Sequence, residues 1–335
     1  MSNYDYALPP EAIAQVPAEP RDSARLLDAR QLKEPSDRTV SDLPELLKKG
    51  DVLVVNNTKV RQARLQLRKE TGGAAEVLLL APTGDPAIWT ALVKPGRRLP
   101  PGTVLLADQT PVVEIGAANG TGQRQVRILN DTLVSSIGVL PLPPYIRQRP
   151  RDPNRYQTVY ADRVGSVAAP TAGLHLTHEV LDQLTRRGVH VETIDLEVGL
   201  GTFAPVTAAT LDEHVMHTES YSVQPETWDR IKRAPRVVAV GTTVVRTVET
   251  IAQTGALAGE TDIFIRPGFR WAVVDLLLTN FHMPRSTLLV LVEAFVGPGW
   301  HQLYADAIRR GYRVGSFGDA MLLERAESAE SDPLA

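Results

Sequence analysis

The amino-acid sequence predicts an α/β protein that carries a small β-domain as an insertion. From Tyr156 onward, helical and strand-like segments alternate, a pattern typical of a mixed sheet with flanking helices. Between residues 61 and 150, short β-prone pieces separated by Gly, Pro and Asp turns replace that alternation. Such closely spaced strands are typical of a small barrel or sandwich. Because the strand–helix pattern resumes afterwards, we expect this stretch to be inserted into the α/β domain.

The segments before residue 150 are predicted as follows. Residues 4–27 are rich in proline and lack periodicity, so they are expected to be extended over the core. Residues 41–49 are predicted to form a short helix, with Pro44 in the first turn and Gly50 after the end. An apolar strand over 51–55 follows. Six further strands are expected in the β-domain, at residues 63–68, 75–80, 89–93, 103–106, 111–115 and 125–129.

The second half of the chain contributes most of the predicted α/β domain. Thr177 can cap a helix, and Gly241-Thr242-Thr243 opens another. Helices are expected at residues 178–187, 226–234, 244–253, 288–296 and 300–310. Strands are expected at residues 189–196, 236–240, 261–266, 271–278 and near Tyr312.

Four apolar strands each end in a polar loop that often contains glycine. Val55 precedes NNTK, Leu196 precedes EVGLGT, Val240 precedes GTT and Leu278 precedes TNFH. In open α/β sheets, ligands bind beyond the carboxyl ends of the strands. If these strands are parallel neighbours, their loops line one cleft.

Two histidines in glycine-rich or polar loops are candidates for acid–base chemistry. His175 lies in AAPTAGLHLT and His282 in TNFH, and imidazole titrates near neutrality. Each histidine is equally compatible with a structural hydrogen-bonding role. Glu197, beside the glycine turn, is compatible with a general base, with a counter-charge to a cationic ligand, or with a helix-cap or surface role. Phe281 can face a cation or pack in the core, and core packing is favoured.

Other motifs carry weaker signals. Gly-Thr-Thr before a helix can bind a carboxylate or another anion through free N–H groups. His214 and His217 lack the spacing of a zinc motif and an obvious third ligand, so no metal is expected. The sequence contains neither a GxxxxGK[ST] phosphate loop nor a GxSxG hydrolase elbow.

Composition excludes several classes of protein. The chain has no cysteine, which rules out disulfides, thiolate–zinc sites, cysteine-held iron–sulfur clusters and cysteine nucleophiles. The N-terminal residues lack a signal-peptide pattern and no apolar run is long enough for a membrane span, so a cytoplasmic location is expected. The net charge is −3, yet basic residues cluster in or beside the β-domain. Either a solvated face or RNA contact would explain these clusters.

An ordered set of motifs resembles one family, the S-adenosylmethionine (AdoMet):tRNA ribosyltransferase-isomerases of the queuosine pathway. The resemblance spans nearly the whole chain, through LPPEAIAQVPAEPRDSARLL, GDVLVVNNTKVRQARL, PLPPYI, RYQTVYA, VAAPTAGLHLT, GLGTFAPV, AVGTTVVRTVE, TNFHMPRSTLL and SFGDAML. It implies an α/β domain that carries an inserted β-barrel, in agreement with the boundaries indicated by the sequence pattern. These are a discontinuous α/β catalytic domain over residues 1–60 and 151–323, an inserted β-barrel over 61–150, and an acidic, disordered tail over 324–335.

The resemblance implies a reaction and its partners. The ribosyl part of AdoMet would be transferred to 7-aminomethyl-7-deazaguanine at the tRNA wobble position and rearranged to epoxyqueuosine, with loss of adenine and methionine. AdoMet would be a co-substrate, no other cofactor or metal would be needed, and the protein would act as a monomer on tRNA.

Site residues are expected on this basis. His175, His282 and Glu197 are the catalytic candidates. AdoMet or the base would be bound by Thr171, Gly173, Gly199, Gly201, Thr202, Thr242, Thr243, Asn280 and Phe281. The tRNA would be bound by Lys59, Arg61, Arg64, Lys94, Arg97, Tyr145, Arg147 and Arg155.

Three positions depart from the family pattern. Glu197 stands where the family commonly has His, Asn57 replaces an Asp, and Leu176 replaces a Phe. Two alternatives stay open: an AdoMet-dependent enzyme acting on a small molecule, and a non-catalytic RNA-binding relative.

Overall fold

The computed structural model describes residues 2–119, 122–199, 208 and 210–326. The chain forms two compact units. The first contains Met1–Lys59, Pro143–Arg163 and Ala169–Ala335, and the second contains Val60–Leu142 and Val164–Ala168. Gly201, Thr202 and residues 327–335 of the expected tail lie outside the described residues.

The secondary structure alternates as the fold class requires. The strands are β1 (Arg25–Ala29), β2 (Ser36–Thr39), β3 (Val52–Asn56), β4 (Thr58–Val60), β5 (Arg64–Lys69), β6 (Ala74–Pro82), β7 (Ile88–Lys94), β8 (Val104–Ala107), β9 (Thr110–Ala118), β10 (Arg124–Ile128), β11 (Arg163–Ser166), β12 (His190–Leu196), β13 (Glu219–Ser222), β14 (Val237–Val240), β15 (Ala258–Thr261), β16 (Leu276–Asn280) and β17 (Ala320–Glu324). The helices are α1 (Leu43–Leu46), α2 (Asp131–Ile137), α3 (His178–Arg186), α4 (Pro225–Arg233), α5 (Thr242–Thr254), α6 (Thr287–Val296) and α7 (Trp300–Arg309).

The first unit is built on a mixed nine-stranded sheet. Its strand order is β15-β13-β12-β3-β14-β16-β17-β1-β2. Strands β12, β3, β14 and β16 are consecutive and parallel, whereas β17 runs antiparallel to β16 and parallel to β1. The central strands are apolar on both faces, as expected for strands covered by helices on each side.

Helices cover both faces of this sheet. Val55, Val240 and Leu278 pack in one buried cluster with Val180 and Leu184 of α3. Helix α5 packs across β12, β3, β14 and β16, and none of its residues belongs to that cluster. Because side chains alternate along a strand, α5 covers the opposite face.

The second unit contains a closed antiparallel barrel in the order β10-β7-β6-β5-β8-β9. Strand β10 pairs with β7 and with β9, which closes the barrel and leaves no free edge among its six strands. The expected fold class, a mixed sheet with flanking helices and a small β-barrel, is confirmed. Strands β4 and β11 form a separate two-stranded sheet.

Two strands are shorter or begin later than predicted, because buried side chains form hydrogen bonds with backbone groups that would otherwise pair with a neighbouring strand. The Glu249 carboxylate accepts the N–H groups of Ala272, Val273 and Val274, so the strand predicted over 271–278 begins only at Leu276. The guanidinium of Arg246 donates to the carbonyls of Thr261 and Ile263, so the strand predicted over 261–266 ends at Thr261 as β15.

Other differences concern short elements. The strand expected near Tyr312 is a single bridge between Ile13 and Val314, and the last strand is β17. Helix α1 covers only four residues of the predicted helix over 41–49. The supposedly extended N-terminal stretch contains 3-10 turns and the start of β1. The β-domain includes the unpredicted helix α2, which the Asn130 side chain caps.

The segment that leaves the barrel packs with the first unit from Pro143 onward. The Tyr145 hydroxyl lies 2.7 Å from Ser316 Oγ, and a Cβ on Gly315 would lie only 3.0 Å from the tyrosine ring. After β17, the backbone N–H of Arg325 donates to the Asp275 carbonyl and that of Ala326 to the Phe295 carbonyl, so the chain is held against the first unit as far as residue 326.

No helix in the described part of the chain has the length and apolar character needed to cross a bilayer.

Candidate active site

The carboxyl ends of β12, β3, β14 and β16 lie at one edge of the sheet, because these strands are parallel neighbours. The expectation that they are neighbours is confirmed. The Asn56 side chain links the ends of β3 and β12 through two hydrogen bonds. Its Nδ2 donates to the Leu196 carbonyl at 3.0 Å, and its Oδ1 accepts from the Leu196 N–H at 3.2 Å. The same oxygen accepts the N–H of Thr58.

His175 ends a buried 3-10 turn, Thr171–His175, and its ring is held by Asn280 at the end of β16. Asn280 Nδ2 lies 3.0 Å from His175 Nε2 and also donates to the Gly315 carbonyl at 3.2 Å. The carbonyl fixes the orientation of the amide, so Nδ2 donates to both groups. His175 Nε2 is therefore the acceptor and Nδ1 carries the proton.

Burial lowers the pKa of His175 to about 4, opposed in part by the nearby carboxylate of Asp319. The imidazole is neutral at pH 7 for that reason. Asn280 Oδ1 is buried and has no hydrogen-bond partner among the described residues. An unpaired acceptor therefore lies beside the His175 ring, which a ligand with an N–H or O–H group would satisfy.

His282 is held on three sides. Its Nε2 lies 3.1 Å from Thr279 Oγ1, its N–H donates to the Tyr304 hydroxyl, and its carbonyl accepts from the Tyr6 hydroxyl at 2.6 Å. Burial lowers the pKa of His282 to about 3. This imidazole is also neutral at pH 7. Hydrogen bonds to the backbone of His282 and to its ring together fix the position of the residue.

The two histidines lie at the same end of β16 but on different sides of it. Thr279 and Asn280 are consecutive in the strand, so their side chains point to opposite faces of the sheet. Thr279 contacts His282 and Asn280 contacts His175. The structure therefore brings both histidines to the predicted edge, separated by the end of one strand.

A pocket lies at the same edge, at the start of α5. It is lined by His214, Met216, His217, Glu219, Thr242, Thr243, Arg246, Ile263, Phe264, Ile265, Thr287, Leu288 and Leu291. Of the predicted site residues, Thr242 and Thr243 line it, whereas His175 and His282 do not. Gly241, at φ +88°, precedes the helix and would be strained with any side chain.

Arg246 and Glu219 form a buried ion pair in the lining of this pocket, and the sequence analysis did not predict it. Arg246 NH1 contacts Glu219 Oε2, while Glu219 Oε1 accepts the Gly199 N–H at 3.1 Å. The pair thereby holds the start of the predicted glycine loop. The available signal was a charged residue within the apolar helix VVRTVET, since an arginine in such a helix is buried only with a partner.

Other predicted ligand-binding residues have structural contacts. The Phe281 ring is buried between Tyr304 and Tyr312, each with a centroid separation of 5.4 Å. Gly173 is buried, and a Cβ there would collide with the Tyr160 hydroxyl. Thr171 is half-buried in the turn that carries His175. Glu197 is exposed at the end of β12, where its N–H donates to the Ser220 carbonyl.

The His, Asp and Glu side chains of the described residues form no group of three that could hold a metal ion. His214 instead packs its ring against Phe264, with centroids 5.5 Å apart.

The predicted tRNA-binding residues fall into three groups. Arg155 is held by Glu19 and the Ala18 carbonyl, and Tyr145 is held by Ser316. In the barrel unit, Arg64 and Lys94 share Glu76, and Arg61 stacks over Trp89 at 4.5 Å. Exposed basic side chains remain at Lys59, Arg97 and Arg147.

The chain is similar to known proteins over nearly its whole length. The family model described as "Queuosine biosynthesis protein" matches residues 1–323. A protein of Moorella thermoacetica named S-adenosylmethionine:tRNA ribosyltransferase-isomerase is 48% identical over 341 residues, covering 96% of this chain and 99% of that protein. A protein of Rubrobacter xylanophilus with the same name is 48% identical over 325 residues, covering 95% of this chain and 96% of that protein.

A solved structure gives the same result. The crystal structure of S-adenosylmethionine tRNA ribosyltransferase from Thermotoga maritima matches with a TM-score of 0.55 and 36% identity, covering 96% of this chain and 99% of that one. Sequence and fold therefore agree along almost the whole length, and this chain belongs to the queuosine biosynthesis protein family.

Proposed function

We propose that this protein is an AdoMet:tRNA ribosyltransferase-isomerase. It transfers the ribosyl part of AdoMet to 7-aminomethyl-7-deazaguanine at the tRNA wobble position and rearranges it to epoxyqueuosine, releasing adenine and methionine. The observation that carries this proposal is the near-full-length likeness to relatives that bear the enzyme's name. The reaction takes place in the cytoplasm, where tRNA is found, and AdoMet is the only co-substrate.

The chemistry requires groups of the kind found at the sheet edge. The sulfonium of AdoMet acidifies the adjacent ribose carbon and makes methionine a leaving group. A base must remove a ribose proton, a donor must support the departing adenine, and the free amine of the modified base must attack. Each neutral imidazole carries one N–H group and one lone pair and can take part in such a transfer, although burial, which lowers both pKa values, makes it a weaker base than free imidazole.

We assign different parts to the two histidines. His175 is the donor, because Asn280 occupies its Nε2 and leaves the proton on Nδ1. His282 is the base, because its partner, the Thr279 hydroxyl, can donate or accept and so permits either tautomer. Asn280, Thr242 and Thr243 orient AdoMet, and Gly199 lies at the entrance beside Glu219.

The exposed basic residues contact the tRNA backbone. Lys59, Arg97 and Arg147 supply the positive charge that phosphate groups require. The protein acts as a monomer: within the described ranges only four large apolar side chains are exposed, at Val16, Leu129, Val164 and Val215.

One assay tests this function. The protein is incubated with AdoMet and with tRNA that carries the precursor base, and adenine release is measured with and without the tRNA. Release that depends on the tRNA is the expected result. Equal release without tRNA would indicate a small-molecule acceptor, and RNA binding without any release would indicate a non-catalytic relative; either outcome contradicts the proposal.

A further inference from the structure

The pocket at the start of α5 contains a polar group that the protein itself does not satisfy. Thr243 is 6% exposed, and its hydroxyl has no hydrogen-bond partner among the described residues. The residue lines the pocket. A buried hydroxyl without a partner is destabilising, and a ligand that hydrogen-bonds it would remove that cost.

Two helices of at least ten residues begin at this pocket. Thr242 and Thr243 form the first turn of α5, and Thr287 and Leu288 form the first turn of α6. The N-cap residue of α5 is Gly241, which has no side chain to bond the free N–H groups. At α6, Ser286 bonds only the N–H of Leu289. Both helix dipoles therefore place positive potential at the pocket.

The charged residues of the pocket do not cancel that potential. Glu219, the single carboxylate among the described lining residues, is paired with Arg246. Arg246 in turn donates to the carbonyls of His217, Thr261 and Ile263, so most of the N–H groups of its guanidinium already have acceptors within the protein. The helix ends and the Thr243 hydroxyl are thus the groups available to an anion.

The remaining wall is mostly apolar, with Met216 and Phe264 among its side chains, and it also includes His214 and His217. Ile263, Ile265, Leu288 and Leu291 line the pocket beside the two helix ends. A ligand that fits has a carboxylate at one end and a short aliphatic chain next to it. Within AdoMet, only the amino-acid end carries a carboxylate with an aliphatic chain beside it, and the Glu219 carboxylate in the lining is an acceptor for its α-ammonium group.

We propose that this pocket binds the methionyl end of AdoMet, with its carboxylate at the N-termini of α5 and α6 and hydrogen-bonded to Thr243. This inference rests on the proposed function, because it concerns the substrate of that reaction. It assigns to one pocket the half of the substrate that leaves as methionine. The ribose and adenine would then extend from the pocket along the sheet edge.

The test combines a change in the protein with a change in the ligand. Dissociation constants of AdoMet and of decarboxylated AdoMet, which lacks only the carboxylate, are measured by calorimetry for the wild type and for Thr243→Val. The wild type should prefer AdoMet by about tenfold or more, the effect of one hydrogen bond to a charged group. Thr243→Val should reduce that preference by weakening AdoMet alone, with the helix N-termini still attracting the carboxylate, and Thr243→Ser should retain it.

Thr247→Val is the matched control. Thr247 lies one turn further along α5, is buried, and donates its hydroxyl to the Thr243 carbonyl, but does not line the pocket. It should keep the wild-type preference. An unchanged preference in Thr243→Val, or equal weakening of both ligands, overturns the inference. Failure of the wild type to bind AdoMet at all would instead contradict the proposed function.

Discussion

At the scale of single residues, Asn280 determines how His175 can act. Its amide is fixed by the Gly315 carbonyl and therefore presents an N–H to His175 Nε2. The sequence places both residues in candidate loops, yet it cannot reveal that they touch, since they are 105 positions apart. Their pairing follows from the packing of the 3-10 turn against β16.

Replacing either histidine should impair turnover more than folding. His175→Ala and His282→Ala are each expected to lower tRNA-dependent adenine release by about 100-fold or more, because a positioned proton-transfer group is lost. Circular dichroism should still report a folded chain. His190→Ala, which changes an exposed histidine, is the control and should retain wild-type turnover. Wild-type rates in both buried variants would remove these residues from the mechanism.

Stability should rise with pH across the acidic range. The pKa values of His175 and His282 are lowered to about 4 and about 3, below the 6.5 of an unfolded histidine. Between these values the unfolded chain binds more protons, so the unfolding free energy falls as the pH drops from 6.5 towards 4. The effect is on the order of 3 kcal/mol per histidine.

Urea denaturation over this pH range checks the expectation. His282→Gln should show a shallower pH dependence than the wild type, whereas His190→Gln, at an exposed position, should follow the wild type. Parallel curves for wild type and His282→Gln would mean that His282 is not held neutral by burial.

At the scale of elements, α5 organises the site through side chains that reach beyond the helix. Arg246 bonds backbone carbonyls just before β13 and at the end of β15, and Glu249 bonds backbone N–H groups of the segment that precedes β16. Periodicity predicted α3, α4 and α5 to within two residues, because their apolar stripes are regular. Periodicity could not predict where β15 ends and β16 begins. Side chains of α5 that are distant in sequence, Arg246 and Glu249, bond the backbone groups that would otherwise form hydrogen bonds between strands there.

Breaking the buried ion pair should be costly. Glu219→Gln leaves Arg246 charged and buried without a counter-charge, so the unfolding free energy should fall by about 3–5 kcal/mol. Asp212→Asn, at the exposed pair with Arg266, is the matched control and should cost at most about 1 kcal/mol. Guanidinium denaturation of both variants measures the difference. Similar costs for the two would show that the buried pair is not structurally important.

At the scale of the whole molecule, the two-part organisation was readable from the change in strand and turn pattern. The exit from the barrel unit was harder to place. PLPPYI has no helix or strand period, and contacts of Tyr145 with Gln15, Gly315 and Ser316 accompany the assignment of its residues from Pro143 onward to the first unit. Several basic residues expected to face tRNA are likewise engaged with carboxylates, which composition could not indicate.

Removing exposed positive charge should weaken tRNA binding without affecting AdoMet. Arg97→Ser and Arg147→Ser are each expected to lower tRNA affinity and to reduce the slope of log affinity against log salt by about one. Lys232→Ser, an exposed change on α4, should leave both properties unchanged. Filter binding over a salt series provides the measurement. Unaltered slopes in both arginine variants would exclude these side chains from the tRNA contact.

The position of β17 has a consequence for synthesis of the chain. This strand, formed by Ala320–Glu324, lies between β16 and β1 in the sheet. The hairpin of β1 and β2 is synthesised well before β17, the strand that joins it to the rest of the sheet. The edge of β1 therefore stays unpaired in the nascent chain until β17 has emerged from the ribosome, and it must be protected from pairing with other chains during that time.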